Sequence, residues 1–315
     1  MIVACLCDTR RFELMPAEER KPSPGEVRVR LAGCGVCASD LPLWEGRPWF
    51  KYPVEPGSPG HEGWGYVDQF GAAVKGLTPN TAVAILSSHA FAEHATVAAD
   101  HLVRLPAQLS GRPFPAEPLG CAMNVFARCA IEPGQDVAVV GVGFIGALLI
   151  RLASDAGARV VAVSRRPFAL SIARRFGARE VVEFDRVSYG IAQGISGNAS
   201  FARVIEAAGT QQSLELATAL TAERGRLIIA GYHQDGLRQI NLQQWNWRGL
   251  DVINAHERQP GVYVDGMAKA VKAVCEGRLE PWPLFTHQFP LSQINQAFDT
   301  LRNRPDGFIK AMVMM

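Results

Sequence analysis

The sequence predicts an α/β protein, a doubly wound parallel sheet joined to a strand-rich, barrel-like domain. Three observations predict it. Strand and helix patterns alternate from residue 123 to 281. Short strands punctuated by Pro and Gly fill the stretch before, residues 1–122. Between them a β-branched run, Val137-Ala138-Val139-Val140, leads into Gly141-Val142-Gly143-Phe144-Ile145-Gly146 and then into apolar residues at helical spacing.

The strand-rich stretch begins with Pro24-Gly25 as a turn and Val27-Arg28-Val29-Arg30-Leu31, which alternates with period two. Gly63-Trp64-Gly65-Tyr66-Val67, Ala82-Val83-Ala84-Ile85-Leu86 and Ala95-Thr96-Val97 are further short strands. In the alternating stretch, Gly157 is a C-cap for the helix that follows the glycine turn. Arg159-Val160-Val161-Ala162-Val163 is the second parallel strand, and a helix with Pro167 at its start and Gly177 at its end follows. Glu180-Val181-Val182-Glu183-Phe184, Ala202-Arg203-Val204-Ile205-Glu206, Arg226-Leu227-Ile228-Ile229-Ala230 and Asp251-Val252-Ile253-Asn254-Ala255 continue the sheet. Helices are expected over 212–220 and 265–276. Residues 282–315 hold an amphipathic helix, 291–301, and a final strand, 308–313.

Strand, glycine turn and helix together are the context a dinucleotide fingerprint needs. Gly141 allows the tight turn, Gly143 lets backbone approach a pyrophosphate, and Gly146 lets helix pack on strand. The phosphates then meet the positive helix N-terminus, beside Phe144 and Ile145. The strand ends Ala207-Ala208-Gly209, Gly231-Tyr232-His233 and Asn254-Ala255-His256, with Ala208, Gly231 and Tyr232 foremost, are expected to line the dinucleotide pocket.

Composition excludes several classes. The chain has 315 residues, 48% hydrophobic and 20% charged, which is ordinary globular composition. A net charge of +2 without a basic block gives no sign of nucleic acid or an anionic membrane as partner. No run reaches the roughly 18 apolar residues of a membrane helix, and the first residues lack a signal peptide's pattern. A cytoplasmic location is expected. The seven cysteines are an odd number in a chain that is no small secreted scaffold, and read as free thiols or metal ligands.

Upstream of the glycine turn lies a set of possible metal ligands. Gly33-Cys34-Gly35-Val36-Cys37-Ala38-Ser39-Asp40 offers thiolate, Gly60-His61-Glu62-Gly63 offers imidazole and carboxylate, and Ala116-Glu117-Pro118-Leu119-Gly120-Cys121 offers another carboxylate and thiol. Mixed Cys, His and Glu ligands suit zinc, and three protein ligands leave a fourth position for water or substrate.

In Gly35-Val36-Cys37-Ala38-Ser39-Asp40, Gly60-His61-Glu62, Glu117-Pro118-Leu119 and the glycine turn, the chain resembles the zinc-dependent medium-chain alcohol dehydrogenases. It is nearer their polyol and threonine dehydrogenase branches, and the resemblance covers essentially the whole chain. It implies a GroES-like catalytic domain built from 1–122 and 282–315 and a Rossmann domain over 123–281. It implies one catalytic zinc on Cys37 and His61. Glu117 stands in the third-ligand position or one water away, and Glu62 behind the metal or alternating as a ligand. It makes Ser39 the acceptor of the alcohol proton and Asp40 the brace of the metal site. Zinc would lower the pKa of an alcohol oxygen as hydride passes to the nicotinamide. The substrate is then a small alcohol or carbonyl compound, and a homo-oligomer, dimer or tetramer, is expected.

Two departures matter. Residues 63–105 contain no Cys, so the four-Cys lobe that holds a structural zinc in many relatives is missing. Pro42 stands where relatives often carry a relaying His, so the proton leaves by another route, for which His256 is the candidate. The cofactor is expected to be NADP rather than NAD. Ser164-Arg165-Arg166 follows the second strand, where an NAD enzyme usually carries an acid for the ribose hydroxyls. Arg165 and Arg166 can pair with a 2′-phosphate, and Ser164 can donate to it. Two other readings stand beside this one: a zinc-free quinone or enone reductase of the same superfamily, and a nucleotide-binding protein without activity. Trp44, Trp49 and Phe50 are candidates for a substrate wall, as are Trp245 and Trp247, for which packing or a subunit contact is preferred.

Overall fold

The computed structural model of the chain describes residues 1–187 and 201–315. Its packing separates two units, Met1–Gly120 with Arg258–Met315, and Cys121–Glu257. The described strands are β1 (Ile2–Asp8), β2 (Arg11–Pro16), β3 (Glu26–Val36), β4 (Glu62–Phe70), β5 (Ala82–Ile85), β6 (His94–Ala98) and β7 (Leu102–Arg104). There follow β8 (Asp136–Val140), β9 (Arg159–Ser164), β10 (Glu180–Glu183), β11 (Phe201–Glu206), β12 (Thr221–Ile229), β13 (Asp251–Asn254), β14 (Phe285–Pro290) and β15 (Lys310–Met314).

In the first unit, β1 and β2 form a ribbon, and a larger sheet runs β14-β15-β3-β4-β5-β7 with β6 also on β3. The central strand β3 buries Val27, Val29 and Leu31 and exposes Arg30. Arg28 is buried too, and its guanidinium is satisfied by Asp68 at 2.6 Å and Glu19 at 3.2 Å. Beyond Leu31 the strand continues through two glycines that face large residues of β4. Gly33 stands opposite Trp64, and Gly35 opposite Glu62. Each glycine leaves room for its partner's side chain, since a Cβ on Gly33 would lie 2.3 Å from the Trp64 ring.

The chain's two ends share this unit's core. Phe298, on the helix Ile294–Asn303, is fully buried, with ring centroids 4.9 Å from Phe12 and 5.8 Å from both Trp44 and Phe91. Trp44 is therefore core, not a substrate wall. The return to this unit comes at Arg258, ahead of 281. The helix Pro260–Cys275 packs here, where a Cβ on Gly120 would lie 2.6 Å from the Met267 nitrogen. Antiparallel pairing of β15 with β3 sets Ala311 opposite Val36.

In the second unit a parallel sheet runs β10-β9-β8-β11-β12-β13. Val137 to Val140 are fully buried, as the unbroken β-branched run requires of a strand covered on both faces. The chain order reverses between β8 and β11, and the crevice at such a reversal is where ligands of these sheets bind. Trp245 packs on this unit's core and donates from Nε1 to Thr218 Oγ1 at 3.2 Å, whereas Trp247 is exposed.

Candidate metal centre and dinucleotide turn

β3 ends at Val36, and Cys37 is the first residue off the strand, N-terminal to a short 3-10 turn, Ala38–Asp40. His61 immediately precedes β4, and Glu62 is that strand's first residue. Because β3 and β4 pair Gly35 with Glu62, the thiol, the imidazole and the carboxylate come together at one end of the sheet. Among the described residues, Cys37, His61 and Glu62 form a group that could hold a metal ion, with ligand atoms within 4.8 Å of one another. Glu117 lies outside that group, on the helix Ala116–Cys129, buried and acting electrostatically on Lys310. Cys34 points elsewhere: it is fully buried, its thiol is directed at the Gly35 carbonyl, and burial pushes its pKa up. None of the seven cysteines, all of them among the described residues, is in a disulfide.

The surroundings of the group suit a cation. His61 Nδ1 lies 3.0 Å from the Pro59 carbonyl and 3.3 Å from Asp40 Oδ1, so Nδ1–H is engaged and Nε2 is left as the ligating nitrogen. Burial disfavours charge on this imidazole, yet Asp40 and Cys37 outweigh it and raise the pKa well above the ordinary value. Burial likewise raises the Asp40 carboxyl, against the pull of His61. Two buried carboxylate oxygens, Glu62 Oε2 and Asp40 Oδ2, have no hydrogen-bond partner among the described residues. A buried unpartnered oxygen in a ring of Cys, His and Glu is what a bound cation would satisfy. Ser39 donates from Oγ to Cys37 Sγ at 3.2 Å, which places the hydroxyl at the same spot.

Lys310 was not among the residues singled out from the sequence. It is buried on β15, and its Nζ donates to Glu62 Oε1 at 2.5 Å. Burial works against its charge, but Glu62 and then Cys37 more than compensate and raise its pKa. One oxygen of Glu62 is thereby tethered, while the other, Oε2, is the buried one without a hydrogen-bond partner among the described residues.

In the second unit, Gly141 has a φ of 105°, and a Cβ there would lie 2.7 Å from the Ala208 nitrogen. A Cβ on Gly146 would lie 2.0 Å from the Gly141 carbonyl oxygen. Gly143 differs: a Cβ would meet nothing within 4 Å. Two glycines are thus demanded by the protein's own packing, and the middle one opens onto space at the N-terminus of the helix Phe144–Asp155. That open approach fits a pyrophosphate on the helix N-terminus. Phe144 and Ile145 begin this helix.

Ser164 is buried at the end of β9, and its Oγ accepts from the Arg166 backbone at 3.3 Å. Arg166 also turns back to donate to the Val142 carbonyl at 3.1 Å, within the glycine turn. The Arg165 guanidinium carbon lies over the Phe184 ring, 4.2 Å from its centroid, with Asp185 at 3.5 Å and a hydrogen bond to Gln212. Tyr232 and His256, both exposed, have ring centroids 5.4 Å apart with the ring planes tilted by 31°. His256 belongs to this second unit, and Ser39 to the first.

The family described as zinc-binding dehydrogenase matches residues 145–271, and the alcohol dehydrogenase GroES-like domain matches residues 23–107. The chain belongs to the zinc-type medium-chain dehydrogenase/reductase superfamily. As a member of it, the protein is an oxidoreductase. Its parallel sheet is the Rossmann-type unit and its β-rich sheet the GroES-like one. Among curated relatives of this superfamily, 2-dehydro-3-deoxy-L-galactonate 5-dehydrogenase of Pseudoalteromonas atlantica is 23% identical, over 99% of this chain and 98% of its own length. Galactitol 1-phosphate 5-dehydrogenase of Escherichia coli K12 is 28% identical, over 90% and 91%. A protein of Sinorhizobium meliloti 1021 solved with NADP bound shares the fold at a TM-score of 0.83 and 23% identity, covering 100% of this chain and 99% of that one.

Proposed function

We propose that the chain is a zinc-dependent dehydrogenase that transfers hydride between an alcohol or polyol, or the matching aldehyde or ketone, and NADP. The observation that carries this reading is the Cys37, His61 and Glu62 group, with an unpartnered buried Glu62 oxygen in its midst. The polyol-type substrates named for the relatives support the substrate class.

Cys37 Sγ, His61 Nε2 and Glu62 would hold one zinc, with the fourth position left to the substrate oxygen or water. Bound zinc supplies Lewis acidity at that oxygen, and NADP supplies the hydride acceptor. Asp40 fixes the tautomer and angle of His61 through Nδ1. Ser39, already within reach of the Cys37 sulfur, takes the substrate hydroxyl proton. His256 is the proposed onward acceptor in place of the residue that Pro42 excludes. Glu117 adds a buried negative charge that balances Lys310.

In the dinucleotide site, Gly141, Gly143 and Gly146 with Phe144 and Ile145 receive the pyrophosphate, and Ala208, Gly231 and Tyr232 form the strand-end floor. NADP is preferred because Ser164 replaces the acid that would repel a 2′-phosphate, and two guanidiniums adjoin it. Metal analysis with steady-state kinetics on both cofactors tests the proposal. One zinc per chain and higher efficiency with NADP are expected, with Ser164→Asp moving preference towards NAD. No zinc after metal-replete preparation, or equal efficiency with NAD, overturns the respective part.

A further inference from the structure

Unit 2 carries a buried polar network that neither the metal group nor the glycine turn accounts for. Its centre is Glu206, the last residue of β11, which is fully buried. One oxygen, Oε1, accepts from the Ala208 and Gly209 backbone nitrogens at 2.8 Å each and from Ser213 Oγ at 2.7 Å. The other oxygen, Oε2, lies 2.9 Å from His233 Nε2. Arg238 Nε donates to His233 Nδ1 at 2.8 Å. Since Nδ1 accepts, Nε2 carries the proton and donates to Glu206, so the histidine is held in one tautomer. Arg238 also donates to the Gly209 carbonyl at 2.8 Å and pairs with Asp235.

These bonds join three pieces of backbone: the turn after β11, the segment after β12, and the loop around Arg238. The turn after β11 is the one that Gly141 abuts, with the Ala208 nitrogen 2.7 Å from a Cβ built on that glycine. The segment after β12 is equally close, since a Cβ on Gly231 would lie 2.4 Å from the Gly209 nitrogen and 2.5 Å from Glu206 Oε2. The chain of contacts Arg238, His233, Glu206, Ala208 therefore reaches the glycine turn at the sheet's switch point. Beside His233, the Gln234 side-chain nitrogen is buried without a partner among the described residues, a donor that a polar ligand group would satisfy.

We infer that His233 and Arg238 are positioning residues that fix the strand-end floor under the nicotinamide half of the dinucleotide. They act through Glu206 and the Ala208–Gly209 and Gly231–Tyr232 backbone. The inference rests on the dinucleotide reading of this site. The adenine half depends on other residues, Ser164 to Arg166, which this network does not include.

The test is binding to the full chain of NADPH and of 2′-phospho-ADP-ribose, which lacks the nicotinamide. His233→Ala removes both the donor and the acceptor, whereas His233→Asn retains one of each. His233→Ala is expected to weaken NADPH about ten-fold, the loss of roughly one charge-assisted hydrogen bond. It should leave 2′-phospho-ADP-ribose within about two-fold, and His233→Asn should recover part of the loss. Arg238→Met, which leaves Glu206 its histidine, should show the same split to a smaller degree and serves if His233→Ala does not fold. Equal weakening of both ligands, or of neither, overturns the inference. A wild-type chain that binds neither NADPH nor NADH overturns the dinucleotide reading itself.

Discussion

Lys310 and Glu62 form an ion pair buried inside the first unit. Both side chains are buried, and the pair is closed by a 2.5 Å hydrogen bond. Breaking a buried pair costs more than the pair is worth, because the survivor is left charged and unpaired. In the metal-free chain, Lys310→Met should therefore cost about 3–5 kcal/mol in denaturant unfolding. A cost below about 1 kcal/mol, the level of an exposed pair, would sink that account. This residue shows where sequence reading ends. Cys37, Ser39, His61 and Glu62 are legible because each lies in a short run with recognisable neighbours. Lys310 is 248 positions from its partner and lies in Phe308-Ile309-Lys310-Ala311-Met312, which announces only a strand. The choice between Glu62 and Glu117 was illegible for a similar reason. Both are acids beside a plausible motif; Glu62 follows His61 in the chain, and the register of β3 with β4 is what brings that pair to the Cys37 end of β3.

Elements constrain the site through that same register. Gly35 and Glu62 are direct cross-strand partners, and a Cβ on Gly35 would lie 1.8 Å from Glu62 Oε2. The end of a free glutamate would swing aside cheaply, but this one is fully buried and held by Lys310. Gly35→Ala should therefore displace the carboxylate and lower zinc affinity about ten-fold or more, the overpacking cost of 1–3 kcal/mol expressed as binding. Competition with a chelator of known affinity measures it, and wild-type zinc affinity in Gly35→Ala would remove Glu62 from the ligand set. At the end of β11 the same logic applies to pH. Burial alone would raise the Glu206 carboxyl, but His233, Ser213 and two backbone nitrogens hold it below the ordinary 4.5. A depressed folded pKa contributes stability above the unfolded value, and that contribution is lost as pH falls through the folded one. The melting-temperature gap between wild type and Glu206→Gln should be widest above pH 4.5 and narrow below it; a gap independent of pH would show that the carboxylate contributes no linkage. Strands with β-branched runs, such as β8 and β9, were legible. The ribbon of β1 with β2, and β14 with its Phe285-Thr286-His287-Gln288-Phe289-Pro290, were not, because their partners rather than their periodicity make them strands.

At the scale of the whole chain, the two proposed functions draw on separate stretches of sequence. The metal residues 37–62 and their tether Lys310 lie in Met1–Gly120 and Arg258–Met315, while the dinucleotide residues 141–233 lie in Cys121–Glu257. Each unit has its own buried apolar cluster, one around Phe298 and one around Val140 and Leu214. The doubly wound sheet and its glycine turn were legible because strand, turn and helix are contiguous. The return at Arg258 was not, because the helix Pro260–Cys275 carries the same apolar periodicity whichever sheet it serves. The separation leads to a prediction about metal removal. A metal bound by Cys37, His61 and Glu62 contributes to the stability of the unit that supplies its ligands. The Gly141–Gly146 turn owes its conformation to contacts among 141, 146 and 208, none of which is a metal ligand. Stripping zinc with a chelator, or Cys37→Ser, should then abolish turnover while NADPH affinity stays within about two-fold of the holoprotein. Fluorescence of the bound reduced nicotinamide reads the affinity, and metal analysis of the same sample confirms the removal. Loss of NADPH binding in step with zinc would mean that the dinucleotide site is not self-sufficient and would overturn this division of labour.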